Sequence, residues 1–245
     1  MRKLLTTMML LSAGLMVGSD AFAGLQLGAT RIIYPADEKS VSVSVMNTGG
    51  DLPYLVQSAV SARTDGGDAP FFVSPPLFRL EPGAQNQVRI TRLAKELPAD
   101  RESLFWFSVR GLAAARSAPN AATPSASDFS AAQASLSASV GLFVKLIYRP
   151  RGLAGKWSEG MSGLKVSRNA SGIHLTNGSP YYINFSSLSI GGRKVLDQQA
   201  DVQKTTLAPF SDADLPVGSV SPGAPVEWRV INDYGTVETF KGDVS

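Results

Sequence analysis

Residues 136–150 read LSASVGLFVKLIYRP, and Leu136, Ala138, Val140, Leu142, Val144, Leu146 and Tyr148 fall on every second position. At period two this is one unbroken apolar strand face. The other face carries Ser137, Ser139, Gly141, Phe143, Lys145, Ile147 and Arg149, small and polar first, then two cations among apolar neighbours. Such a strand either builds a core or offers itself to another chain. Just before it, AAARSAPNAATPSASDFSAAQA (residues 113–134) is rich in Ala, Ser and Pro and poor in large apolar residues, so it packs no core of its own. A loop of this kind feeding a long apolar strand points to a partner that orders both.

Working outward, strand signals recur at 25–34, 41–46, 54–60, 87–91 and 104–110, separated by turn-forming pieces such as Asn47-Thr48-Gly49-Gly50-Asp51, Asp65-Gly66-Gly67-Asp68 and Glu81-Pro82-Gly83. Short strands at this spacing predict an immunoglobulin-like β-sandwich over residues 24–150. After Arg149-Pro150-Arg151-Gly152, a short stiff linker, strand-like runs return at 172–176, 181–190, 204–207 and 226–231. A second, smaller β domain is expected over 151–245, with no long helical period in either. The fold class is therefore all-β. A short linker fixes an angle between domains and so creates a cleft, a common place for a binding site.

The first residues narrow the compartment. Arg2 and Lys3 precede an apolar run that ends at Ala21-Phe22-Ala23, the form of a secretory signal peptide (residues 1–23) with an A-x-A cleavage site. No later apolar run is long enough to span a bilayer, which predicts an exported protein that is not membrane-embedded. Cysteine is absent, so the domains are held by their cores alone. The net charge of +3 falls to +2 once Arg2, Lys3 and Asp20 leave, and no Lys/Arg cluster with interleaved aromatics is present, so nucleic acid is not an expected partner.

Catalysis finds little support. The single histidine, His174, and the lack of cysteine exclude a His-based triad and a multi-His metal site by inventory. His174 reads as a surface or edge-strand residue, and Asp37-Glu38 and Asp212 with Asp214 read as solvated turns. No Gly-rich phosphate loop precedes a helix, so no cofactor or metal is expected. Two cations stand out instead. Arg31 in LQLGATRIIY shares a face with Leu25, Leu27, Ala29 and Ile33 if the pleat is unbroken, and Lys145 lies between Phe143 and Ile147. Each head must snorkel to an edge, find an internal partner, or meet an anion; in the cleft together they would hold one carboxylate.

A set of blocks then becomes specific: Thr30-Arg31, Asn47, Leu52-Pro53-Tyr54-Leu55, Pro75-Pro76, Arg79-Leu80-Glu81-Pro82-Gly83, Asp100-Arg101-Glu102-Ser103-Leu104-Phe105, Lys145-Leu146-Ile147-Tyr148-Arg149-Pro150 and Ile231-Asn232-Asp233-Tyr234-Gly235. Taken in order, they resemble the periplasmic pilus-assembly chaperones of the chaperone-usher pathway. The resemblance implies two immunoglobulin-like domains set as a boomerang in the periplasm, binding pilus or fimbrial subunits and delivering them to an outer-membrane usher. It implies that Arg31 and Lys145 anchor the subunit's C-terminal carboxylate. It further implies that Leu136, Ala138, Val140 and Leu142 form a donor strand completing the subunit's sandwich, and that Glu102, Arg149 and Asp233 form an interdomain ion network. Self-association of the free form, which would hide the donor strand, is left open by the sequence. The long segment before that strand resembles the branch with an extended loop, but the disulfide common at its base is missing. Lys145 lies on the opposite face from Leu136, Ala138 and Val140, so carboxylate capture and groove filling need twist, a bulge, or different surfaces of the subunit. Two other classes share these bulk features: an exported two-domain adhesive or carbohydrate-binding protein, and a hydrolase with a carboxylate pair.

Overall fold

The computed structural model describes residues 24–49, 52–113, 139–197 and 205–245. Among the described residues the regular structure is almost wholly strand, arranged around two separate hydrophobic cores. The first core belongs to a sandwich of two sheets. One sheet has the order β1 (Leu25–Leu27), β3 (Ser40–Asn47), β7 (Gln85–Arg92), β5 (Phe71–Ser74); the other has the order β2 (Arg31–Pro35), β9 (Ser139–Arg149), β8 (Ser103–Ala113), β4 (Tyr54–Ser61), β6 (Leu77–Leu80). Alternation explains both. In β8 the burial rises at Phe105, Phe107 and Val109, and in β3 at Val43 and Val45, so each strand presents every second residue to the space between the sheets.

The expected single strand over residues 25–34 is two strands in two sheets. β1 pairs antiparallel with β3, whereas β2 pairs in parallel with β9. The break falls at Gly28, where the backbone passes so close to Ser44 that a β-carbon would lie 2.0 Å from its Oγ. Glycine permits this approach, and the pleat running from Leu25 to Arg31 is interrupted there. Arg31 does share a face with Ile33, but Leu25 belongs to the core of the sandwich and Arg31 does not.

Strand β9 has two parts with different surroundings. From Lys145 to Arg149 it lies between β2 and β8; from Ser139 to Val144 it pairs only with β8 among the described residues. Its register against β8 runs from Ser139 to Tyr148 without a shift, so the strand contains no bulge there. Val140, Leu142 and Val144 are half-buried on the sandwich core, in line with the buried Leu146 and Tyr148. Phe143, Lys145 and Ile147 point the other way, and Ile147 is buried outside the first core.

The second core is enclosed by a three-stranded sheet, β10 (Lys165–Asn169), β11 (Gly172–Asn177), β15 (Ser211–Leu215), and by a sheet of order β13 (Arg193–Asp197), β12 (Ile183–Ile190), β16 (Pro225–Ile231), β17 (Val237–Asp243) with β14 (Thr206–Leu207) added to β12. A short helix, α1 (Trp157–Ser162), precedes it, and its Met161 carbonyl accepts the indole N–H of the buried Trp228 at 3.0 Å. Replacing Phe107, fully buried in the first core, by alanine leaves a cavity that the sandwich closes only in part. Phe107→Ala is expected to cost about 3–5 kcal/mol in urea unfolding of the first domain, with the fluorescence transition of the Trp228 domain unmoved.

Candidate interdomain anion site

The outer face of β2 and β9, not their core face, carries the charged residues. Arg31 pairs with Lys145, Ile33 with Ile147 and Pro35 with Arg149, in parallel register, so three cations stand on one side of the sheet where the second domain packs. Arg149 donates from Nε to Glu102 Oε1 at 2.7 Å, and from Nη1 and Nη2 to Asp233 Oδ2 and Oδ1 at 2.6 and 2.9 Å. The guanidinium plane matches the Asp233 carboxylate in a two-bond fork through Nη1 and Nη2 while Nε holds Glu102. Glu102, just before β8, also accepts the Tyr182 N–H at 2.7 Å, and its own N–H donates to the Pro180 carbonyl at 3.0 Å. One guanidinium thus joins a carboxylate from each domain. Burial pushes the Glu102 carboxyl above its usual range even though Arg149 pulls the other way, while the two carboxylates hold Arg149 firmly protonated.

The turn that carries Asp233 is built for close approach. The Asn232 side-chain oxygen accepts the N–H groups of Tyr234 and Thr236, both at 3.0 Å. Gly235 adopts φ 81°, and a β-carbon on it would meet Thr30 Oγ1 at 2.6 Å. Only glycine satisfies both conditions. The turn is thereby pressed against the start of β2, and the adjoining Ile231 carbonyl accepts Arg31 Nη1 at 2.7 Å.

Arg31 and Lys145 are arranged differently from Arg149. Each is 8% exposed, and neither forms an ion pair among the described residues. Lys145 Nζ donates to Asn184 Oδ1 at 2.7 Å and to Thr206 Oγ1, and it stands 6.0 Å from the centre of the Trp106 ring. Arg31 Nε is buried without a hydrogen-bond partner among the described residues. Burial, and then the neighbouring Arg31 charge, pull the Lys145 ammonium down to about 8. Two adjacent buried cations held by neutral oxygens, with an unused donor, have the chemistry to receive an anion.

Of the residues singled out in the sequence, Glu102, Arg149 and Asp233 form one cluster, and Arg31 and Lys145 form the neighbouring pair. Val140 and Leu142 sit on the half-buried face of β9, while Leu136 and Ala138 lie outside the described residues. Asn184, Thr206 and the Ile231 carbonyl were not foreseen. Each is neutral and ordinary in its strand, and only the long-range register brings it to Lys145 or Arg31.

His174 and its neighbours correct the reading of residues 212–214 as solvated turns. Asp212 and Asp214 are in β15, opposite Thr176 and His174 of β11, the middle strand of its sheet rather than an edge. His174 Nδ1 lies 2.7 Å from Asp214 Oδ1 and Nε2 lies 3.6 Å from Asp212 Oδ2; the first contact holds the Asp214 carboxyl below its usual range. Among the described residues no group of three or more His, Cys, Asp or Glu is arranged to hold a metal ion, and no helix is long and apolar enough to cross a membrane.

Two immunoglobulin-like sandwiches joined through a partly buried ion cluster, with a pair of buried cations at the end of a half-open strand, define an assembly-chaperone architecture. The chain belongs to the PapD family of pilus-assembly chaperones: residues 24–154 match the family's "Pili and flagellar-assembly chaperone" N-terminal domain and residues 159–241 its C-terminal domain. It is 33% identical over 229 residues to the probable fimbrial chaperone ElfD of Escherichia coli, covering 92% of this chain and 90% of that protein. The crystal structure of the Escherichia coli chaperone DraB superposes with a TM-score of 0.73 at 33% identity, covering 91% of this chain and 97% of that one. The Salmonella enterica SafB chaperone, solved in complex with the SafA pilin, gives 0.72 at 31% identity over 90% and 96% of the two chains.

Removing Arg149 strands Glu102 in the interface without its charge partner. Arg149→Ala is expected to cost about 3 kcal/mol or more in stability and to widen the distribution of interdomain angles in small-angle scattering. A second outcome follows from Lys145. Its folded-state affinity for a proton is below that of the unfolded chain, so the unfolded state binds more protons between pH about 8 and 10.5 and stability rises with pH across that window. The rise should be missing in Lys145→Met when the two proteins are unfolded in urea at matched pH.

Proposed function

We propose that this protein is a non-catalytic periplasmic chaperone that captures pilus or fimbrial subunits by completing their sandwich with β9 and passes them to an outer-membrane usher. The observation that carries the reading is the pair of buried cations, without a carboxylate partner among the described residues, at the point where β9 changes from a strand paired on both sides to one paired there with β8 alone.

The topology gives the added strand a direction. β2 occupies the edge of β9 from Lys145 onward and runs parallel to it. A client strand laid along residues 139–144 in the same sense would continue the line of β2 head to tail, and its last residue would arrive at Arg31. The terminal carboxylate then meets Arg31 Nε and the remaining Lys145 N–H, two charge-assisted hydrogen bonds in a site largely removed from water. Main-chain bonds along β9 supply affinity, and Val140 and Leu142, with Leu136 and Ala138 before them, supply the alternating side chains that fill the client's groove. Residues 1–23 act as the export signal. Covering unpaired strand edges is also what suppresses aggregation of an incomplete sandwich. The solved SafB–SafA complex supports a pilin as the class of client. An adhesive or carbohydrate-binding role is not favoured, since such a ligand gives no reason for two buried cations without an anion.

Lys145→Ala is expected to abolish recovery of a copurifying subunit from periplasmic extracts while leaving the melting curve at pH 7 close to wild type. Normal recovery with that variant, measured by native mass spectrometry, would overturn the anchor.

A further inference from the structure

The groups around the Lys145 head have a common property that the anchor reading does not require. From β12 comes Asn184, 3% exposed; from β14, Thr206; from β8, the Trp106 ring; and from β2, the like-charged Arg31. None of them is anionic. The carboxylates in this region, Glu102 and Asp233, are both engaged by Arg149, and of the two anchor cations they favour chiefly the charge of Arg31. An aspartate differs from Asn184 by one atom and would give Lys145 an internal salt bridge with almost the same shape.

We propose that Asn184 and Thr206 are specificity-determining residues of the anchor: they position the Lys145 head with neutral oxygens alone, so that its charge stays available to an incoming carboxylate. The proposal rests on the carboxylate-anchor reading and adds to it the reason why the second domain contributes amide and hydroxyl groups. Two neutral acceptors fix two of the three ammonium N–H bonds, which sets the direction of the third. A carboxylate in their place would fix the head equally well but would neutralise it in advance, and the client would then have to compete with a permanently tethered anion.

The same arrangement couples capture to protonation. A buried ammonium with neutral partners beside a second cation gives up its proton more readily than an exposed lysine, and the arriving carboxylate reverses that. The free protein therefore takes up a proton on capture above pH about 8, and affinity falls there by up to about tenfold per pH unit. Below that pH the dependence disappears.

The test uses the full mature chaperone and, as probe, the secreted subunit that copurifies with the wild type under fibre-producing conditions. Asn184→Asp is expected to lower recovery of the complex by about tenfold or more, whereas Asn184→Ala, which loses one hydrogen bond but adds no charge, keeps clearly more of it. Equal losses in the two variants, or wild-type recovery in Asn184→Asp, would overturn the proposal. Lys145→Ala run in parallel separates the two readings: if it too retains the complex, the anchor itself fails. The free protein gives a second arm that needs no client. After reductive ¹³C-methylation, the Lys145 resonance, assigned by its loss in Lys145→Arg, should titrate near 8 in the wild type and move upward in Asn184→Asp. An ordinary lysine midpoint in the wild type would overturn the proposal even if the aspartate variant does not fold.

Discussion

The arrangement of the two sandwiches depends on how Arg149 is shared. A guanidinium has three nitrogens donating in one plane, and here Nη1 and Nη2 are spent together on a carboxylate from the second domain and Nε on a carboxylate from the first. The desolvation of three charges offsets much of their attraction, so the cluster adds less to net stability than its short distances suggest. Its larger effect is on geometry. Asp233 can reach the fork only if the 232–236 turn lies against β2, and the contact of Gly235 with Thr30 allows that turn one depth of approach. The interdomain angle is set where bonding direction and steric contact agree.

That choice leaves the cleft with an uneven charge inventory. Arg31, Lys145 and Arg149 are three buried or partly buried cations, and Glu102 and Asp233 are two carboxylates. Both carboxylates go to Arg149, which makes the remaining pair neutral-bonded by exclusion. A domain interface evolved for stability alone would distribute its acids among its bases. Concentrating them on the cation nearest the linker, and leaving the two nearest the open part of β9 with amide, hydroxyl and carbonyl oxygens, keeps a positive field at one end of the strand. On the proposed reading the rigid part of the interface and the binding part are adjacent, and they are distinguished by the kind of acceptor each cation has.

Much of this was legible in the sequence. The period-two row in β9, the turn pieces between strands and the Pro-Arg-Gly linker gave a two-sandwich chain from residue spacing, and the chemical oddity of Arg31 and Lys145 on apolar faces marked the cleft. The ion cluster was reached only through resemblance, because Glu102, Arg149 and Asp233 are separated by tens of residues and each reads alone as a surface charge. What was missed has physical reasons. Gly28 was the one sign that residues 25–34 change sheets, and a single glycine in an apolar run does not reveal how near Ser44 lies. SDADL, residues 211–215, alternates small apolar and acidic residues, a strand pattern whose acidic face conceals it among turns until His174 is seen opposite. Asn184 and Thr206 sit in strands as neutral residues with no local anomaly, and their role exists only in the register that brings them under Lys145.

The opposition of faces in β9 separates two tasks that one side chain could not combine. Lys145 points toward the second domain, whereas Val140 and Leu142 point toward the first core, and the unshifted pairing with β8 preserves that parity along the described strand. On the proposed reading, the carboxylate fixes where the client strand ends, and the period of two then dictates which of its residues face the same side as Val140 and Leu142. A slip by one position would exchange the two faces of the client strand and separate its carboxylate from Arg31 at the same time. Register is therefore enforced twice, by a charge at one end and by apolar fit along the length. The modest side chains of the donor row become intelligible in this light: with position already fixed by the anchor, the row need only fill the groove, and a looser fit leaves it replaceable by the strand of the next subunit.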